Sequence, residues 1–177
     1  HLFMKIIYCG CSNKIWLEVA DILRKRKDWQ PVYWIGHEPW IRKELEKQFP
    51  DLIFHAIVDA VLGVPPLDEI NRKGVVLDQV LLERLAICEL HSIKMMDRMD
   101  ALGSFSYQER ARHYRLLLAY WLLIVEDLQP DLVFFPDIPH MVFDFILYNL
   151  CQLKGISTLM FEASNVYSLS YLRQRID

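Results

Sequence analysis

The sequence contains no run of about 20 apolar residues that would cross a membrane as a helix, and no stretch of it reads as a signal peptide. It has no excess of basic charge either. A net charge of −3 gives no electrostatic reason to expect a nucleic acid or an anionic membrane surface as partner. Cysteine is sparse: Cys9, Cys11, Cys88 and Cys151 provide no pair of CxxC spacings for zinc, and adjacent CxC is poor geometry for a disulfide. This usage fits a reducing, cytoplasmic compartment. Glycine is missing where a dinucleotide site needs it: Cys9-Gly10-Cys11-Ser12-Asn13 lacks the second and third glycines of G-x-G-x-x-G. No HExxH, P-loop or GxSxG motif occurs, so metalloprotease, P-loop NTPase and α/β-hydrolase readings lose their usual support. No internal repeat points to a solenoid.

What is present is a globular composition, 53% hydrophobic and 24% charged over 177 residues, with five Trp, eight Tyr and nine Phe. A chain of this length reads as one domain able to bury roughly 70% of its unfolded surface. Met4 is read as the native start, with His1–Phe3 foreign to the natural chain.

The most informative stretch is Pro130–Ser164. Leu132–Phe135 is a short apolar run of the kind buried on both faces of a sheet, and Pro136-Asp137-Ile138-Pro139-His140 breaks it. Apolar residues then recur at helical spacing from Met141 to Leu153, Gly155 supplies the C-terminal cap, and Ile156–Phe161 is a second strand. Strand, helix and strand make a right-handed βαβ unit, whose strand ends share one edge of a parallel sheet.

Upstream, Lys5–Cys9, Pro31–Ile35 and Leu52–Ala56 read as strands. Helices over about Lys14–Lys27 and Trp40–Gln48 separate them, the first capped by Ser12 or Asn13. This is the opening half of a doubly wound sheet. The basic run Arg24–Lys27 is better explained as a solvated, dipole-matched helix end than as a phosphate or membrane patch. Residues 57–74, with Val64-Pro65-Pro66, read as a long connection. A long helix over about Asp78–Met99 follows, then a second over Tyr107–Leu128 opened by the capping box Ser106-Tyr107-Gln108-Glu109. Val166–Asp177 reads as a short helix with no further strand. The expected fold is therefore α/β: a Rossmann-like three-layer sandwich with a mostly parallel sheet of about five strands and an inserted pair of long helices. A parallel sheet that stops in mid-rhythm suggests part of a longer protein.

Candidate functional residues lie at the predicted strand ends, where open α/β sheets bind ligands. Asp137 and His140 can work as an acid–base pair or as ligand contacts; equally, Asp137 can cap the next helix with His140 on its first turn. Glu162 emerges from a buried strand, where a carboxylate is costly without a purpose, and Ser164 and Asn165 follow it. Cys11, Ser12 and Asn13 offer backbone N–H groups at a helix start, and His37 lies at a fourth polar strand end. His55 reads as a satisfied histidine, and His91 and His113 are given no role.

The segments Ile93–Asp100 (IKMMDRMD), Phe105–Arg110 (FSYQER) and Pro130–Phe161 resemble the N-terminal part of bacterial capsule or surface polysaccharide biosynthesis proteins. The most specific portion is DLVFFPDIPH…FDFILYNLCQLKGISTLMFE. The resemblance covers under a third of the chain. It implies a glycosyltransferase-like protein of GT-B architecture, in which this chain is the acceptor-side half, alone at residues 4–177. A C-terminal domain would carry the nucleotide-sugar donor, so that no cofactor is bound here and no metal is required. The implied partner is a saccharide or lipid-linked saccharide acceptor, with the protein cytoplasmic or peripheral to the inner membrane. His140 would then be the base or an acceptor contact, Asp137 would orient it, and Glu162 with the Cys11–Asn13 turn would line the floor. The rival reading is a non-catalytic binding or scaffold module acting through its long helical pair.

Overall fold

A computed structural model of the chain describes residues 3–37, 40–66, 75–163 and 170–176. Among the described residues six strands form one sheet: β1 (Met4–Cys9), β2 (Trp29–Gly36), β3 (Ile53–Ala56), β4 (Leu132–Phe135), β5 (Ser157–Ala163) and β6 (Ser170–Arg173), in the order β3-β2-β1-β4-β5-β6. All neighbours are parallel except β5 and β6. The architecture is α/β and consistent with a Rossmann-like sandwich.

Strand alternation assigns the two layers. Ile7, Cys9, Tyr33, Ile35, Val133 and Phe135 point to one face, which is covered by α3 (Ile57–Leu62), α5 (Ala86–Met99), α6 (Tyr107–Leu128) and α7 (Val142–Lys154). Ile6, Tyr8, Trp34, Leu132 and Phe134 point to the other, under α1 (Lys14–Lys27) and α2 (Trp40–Gln48). In this second core Tyr8 stacks on Trp34 with ring centroids 4.3 Å apart. Because β1, β2 and β4 are packed on both faces, they need continuous apolar runs, and that makes them readable in the sequence. Pro31 lies within β2 where the β1–β2 register shifts, and there the strand has no partner on its β3 side. A residue without an N–H fits at such a bulge.

The caps follow the sequence. Asn13 caps α1 by accepting the Ile15 N–H at 3.2 Å. Ser106 and Glu109 form the reciprocal capping box of α6, and Gly155 ends α7 at φ 70°. The basic end of α1 is held locally, with Arg24 and Lys25 both on Asp21.

Three expectations need correction. Residues 57–74 are not all connection: α3 occupies Ile57–Leu62, and Gly63 closes it in the left-handed region at φ 71°. So short a helix is held by tertiary contacts rather than by propensity. His113 donates from Nε2 to the Val61 carbonyl at 2.9 Å and His55 from Nε2 to the Val64 carbonyl at 2.8 Å. The helix expected over Asp78–Met99 is interrupted at Leu85, which separates α4 (Gln79–Arg84) from α5 and has non-helical dihedrals. Leu85 is buried, and its carbonyl accepts the Tyr114 hydroxyl of α6. Finally, residues 170–173 form an antiparallel strand, not a helix, so the sheet has six strands rather than five. Their exposed side chains gave no buried-strand signal.

His55 is fully buried and satisfied. Its Nε2–H is committed to Val64, so Nδ1 accepts from the Tyr33 hydroxyl at 2.8 Å, and Tyr33 in turn meets the Tyr120 hydroxyl. Burial lowers the pKa of this imidazole and keeps it neutral.

Gly63→Ala tests the anchoring of α3. The new Cβ would lie 2.9 Å from Leu116 Cδ2 at a backbone angle that L residues avoid. The Leu116 tip can move but the backbone angle cannot, so the expected loss is about 1–2 kcal/mol in chemical denaturation. An unchanged denaturation midpoint would show that α3 tolerates another C-terminal geometry.

Candidate functional site

The strand order reverses between β1 and β4, and the turns leaving their C-terminal ends diverge to opposite faces. Gly10, at φ 82°, turns the chain out of β1 and donates its N–H to the Ile35 carbonyl at 3.0 Å. Pro136 and Pro139 end β4. Between these turns lies a cleft of about 510 Å³, bounded by Cys9, Gly10, His37, Asp137, His140 and Asp144, with Ile57, Val58, Val61 and Leu62 of α3 as its apolar wall. A shallower, more open depression of about 650 Å³ adjoins it across Gly10 and Pro136 and is lined by Ser12, Asn13, Lys14 and Trp16.

His140 is exposed, and its tautomer is fixed. Nδ1 lies 2.8 Å from the Ile138 carbonyl, which can only accept, so Nδ1 carries the proton and Nε2 of the neutral ring keeps a lone pair. The His140 backbone N–H donates to Asp144 Oδ2 at 3.3 Å. Asp137 does not orient the ring: its Oδ1 accepts the adjacent Ile138 N–H at 2.8 Å. Nor does it cap α7. That helix starts at Val142, with Met141 as an N-cap lacking a side-chain bond.

The structure brings His37, Asp137 and His140 into one cleft, with Ser12 and Asn13 on the neighbouring depression. Ser12 links two of the turns, its Oγ accepting the His37 N–H at 3.1 Å. Cys11 lies apart from both: its side chain is in the α1/α2 core, and its carbonyl accepts the Trp34 indole N–H at 2.7 Å. Burial raises the Cys9 and Cys11 thiols well above their ordinary value, which makes them poor nucleophiles. Glu162 does not line the cleft. It is ion-paired with Arg173 across the β5–β6 ladder, an element the sequence reading did not foresee. Ser164 and Asn165 lie outside the described residues. All four cysteines are free and buried. Among the described residues no cluster of three or more His, Cys, Asp or Glu side chains has metal-site geometry, and no helix is long and apolar enough to cross a membrane.

One cleft residue was missed. Asp144, in the first turn of α7, reads in sequence as an ordinary dipole-complementing acid. In the fold the residue keeps a small surface on the cleft, while Oδ1 is fully shielded and has no hydrogen-bond partner among the described residues. Burial pushes its carboxyl up to about 7, against the backbone N–H groups and the His140 ring that favour the anion. Its spacing four residues after His140, at a predicted strand-end turn, was the available signal.

Comparison with family models, with curated proteins and with solved structures returns no match.

The Asp144 carboxyl gives a pH-dependent stability of definite sign. Its folded pKa lies above the unfolded value, so its contribution is fully present below about pH 4 and is lost as pH rises to about 7. Asp144→Asn removes the buried charge and should raise stability at pH 8 by on the order of 2 kcal/mol, with no gain at pH 4. Thermal denaturation at the two pH values checks this. An equal effect at both would mean that the carboxylate is not penalised by its surroundings.

Proposed function

We propose that this chain is the acceptor-side half of a GT-B-type glycosyltransferase serving surface polysaccharide assembly. In this reading a saccharide or lipid-linked saccharide acceptor lies in the β1/β4 cleft, and a C-terminal domain supplies the nucleotide-sugar donor. What carries the reading is one observation: His37, Asp137, His140 and Asp144 border a single cleft where the strand order reverses. That is where open α/β sheets bind ligands, and polar groups converging beside an apolar wall suit a hydroxyl-rich ring with one apolar face. His140 Nε2 accepts a hydrogen bond from an acceptor hydroxyl, because its Nδ1–H is already committed. Held between two domains, acceptor and donor gain the rate advantage of positioning, and the half alone is expected to bind without transferring. The protein then works in the cytoplasm, free or at the inner face of the membrane.

A different observation favours the interaction-module reading. Beside the cleft, a groove of about 600 Å³ runs between α3 and the facing ends of α5 and α6, with Met99, Phe105 and Leu116 exposed along it. Apolar exposure of this kind marks interaction surfaces.

Thermal shift with short oligosaccharides and with UDP-, GDP-, CMP- and CDP-linked sugars, on wild type and His140→Ala, separates the readings. A ligand at 100 times its Kd adds about 2.7 kcal/mol, roughly 5–10 °C for a chain of this size. The expected result is an oligosaccharide shift that His140→Ala abolishes. A nucleotide-sugar shift would reverse the assignment of the halves, and silence from every ligand would favour the interaction module.

A further inference from the structure

Asp144 lies on α7, where free backbone N–H groups and the helix dipole ordinarily hold a carboxylate charged. The N–H groups of His140, Met141 and Phe145 act in that direction here, and burial outweighs them. An asparagine would keep an oxygen acceptor for the His140 N–H without burying a charge. A side chain that lowers stability where a neutral isostere would serve is characteristic of a functional site. Two geometric facts point the same way. Oδ1 is shielded from water with no partner among the described residues, so the fold leaves a buried acceptor unfilled. The same residue also contributes to the cleft wall, between the β1 turn and the β4 turn.

We propose that Asp144, rather than His140, is the acid–base group of this cleft: its carboxylate hydrogen-bonds a ligand hydroxyl and takes that proton as the oxygen forms its new bond. The electron pair of the O–H bond stays on the oxygen, which attacks the anomeric carbon of the nucleotide sugar. The nucleoside diphosphate leaves with the pair of the bond it breaks. His140 Nε2 holds a neighbouring hydroxyl. The proposal rests on the acceptor-side reading given above.

The surroundings suit such a group. Cys9 faces the cleft from β1 as a neutral thiol, His37 lies beyond β2, and Asp137 and His140 lie on the β4 turn. The α3 wall adds only apolar side chains. A carboxyl titrating near neutrality in such a pocket exists in both forms at working pH, as a general base that must recycle requires.

The test uses a reagent selective for protonated carboxyl groups. The chain is treated at pH 6.5 with a small aryl diazoacetamide, which esterifies carboxylic acids, and the esters are mapped by peptide mass spectrometry. Parallel samples contain methyl glycosides of glucose, galactose and N-acetylglucosamine in large excess. A pKa raised by several units increases the protonated fraction by orders of magnitude, so even with restricted access Asp144 should be esterified at least about tenfold faster than Asp137. The glycosides should slow that reaction severalfold, and Asp144→Asn should remove the ester while the remaining pattern is kept. An unreactive Asp144 beside reactive exposed carboxyls would overturn the proposal and leave the oligosaccharide reading to the His140→Ala comparison. A reactive Asp144 that no glycoside protects would overturn its assignment to a sugar hydroxyl. The saccharide reading would fall with it, while the residue would stand as an accessible acid of the cleft.

Discussion

Pairing of β1 with β4 joins segments separated by more than a hundred residues, and the remaining geometry follows from it. The Lys5 N–H donates to Asp131 Oδ2 at 2.7 Å, the Asp131 N–H returns to the Lys5 carbonyl at 2.9 Å, and Lys5 Nζ reaches the Leu128 carbonyl at the end of α6. Above this clasp, Ile6, Ile7 and Tyr8 run in register with Leu132, Val133 and Phe134. Both strands are apolar on both faces, so a helical layer must cover each side. The chain fills one side of the pair with β2 and β3 and the other with β5 and β6. The turns after β1 and β4 therefore part company, and the crevice between them is a consequence of topology.

The chemistry of the crevice follows from how β4 is stopped. Pro136 and Pro139 prevent the strand from continuing and leave the Ile138 carbonyl outside any ladder, where it takes the His140 Nδ1–H. The same turn brings the His140 N–H onto Asp144, so the orientation of the imidazole and the environment of the carboxyl are set by one short segment. The apolar wall opposite depends on α3, a six-residue helix whose Val61 carbonyl is held by His113, while His55 holds the Val64 carbonyl just beyond its end. Two histidines with no evident ligand role thus shape the site from behind.

The β4–α7–β5 unit was legible because β4 is buried on both faces, β5 carries an apolar run, and the helix between them has a clear period and a glycine stop. Ser106 and Glu109 announced α6 for a similar reason: the capping box is a local device that needs no tertiary context. Elements held by distant contacts were not legible. In sequence α3 is six apolar or acidic residues ahead of two prolines, and the break at Leu85 depends on how that residue packs against α6. The exposed edge strand β6 lacks any buried run. The site divided along the same line. His37, Asp137 and His140 border one cleft because strand ends share an edge. Glu162 met Arg173 on the unforeseen β6, and Asp144 was overlooked because burial, which reverses its ordinary helix-start chemistry, is a property of the fold.

The central claim is that the β1/β4 crevice receives the ligand. Amide chemical-shift mapping tests it most directly, with the 15N-labelled chain titrated by the same oligosaccharides. Perturbations grouped at residues 9–13, at His37 and over residues 136–145 are the predicted result. Perturbations confined to the groove around Met96, Met99 and Phe105 would contradict the claim and place recognition on the helical pair instead.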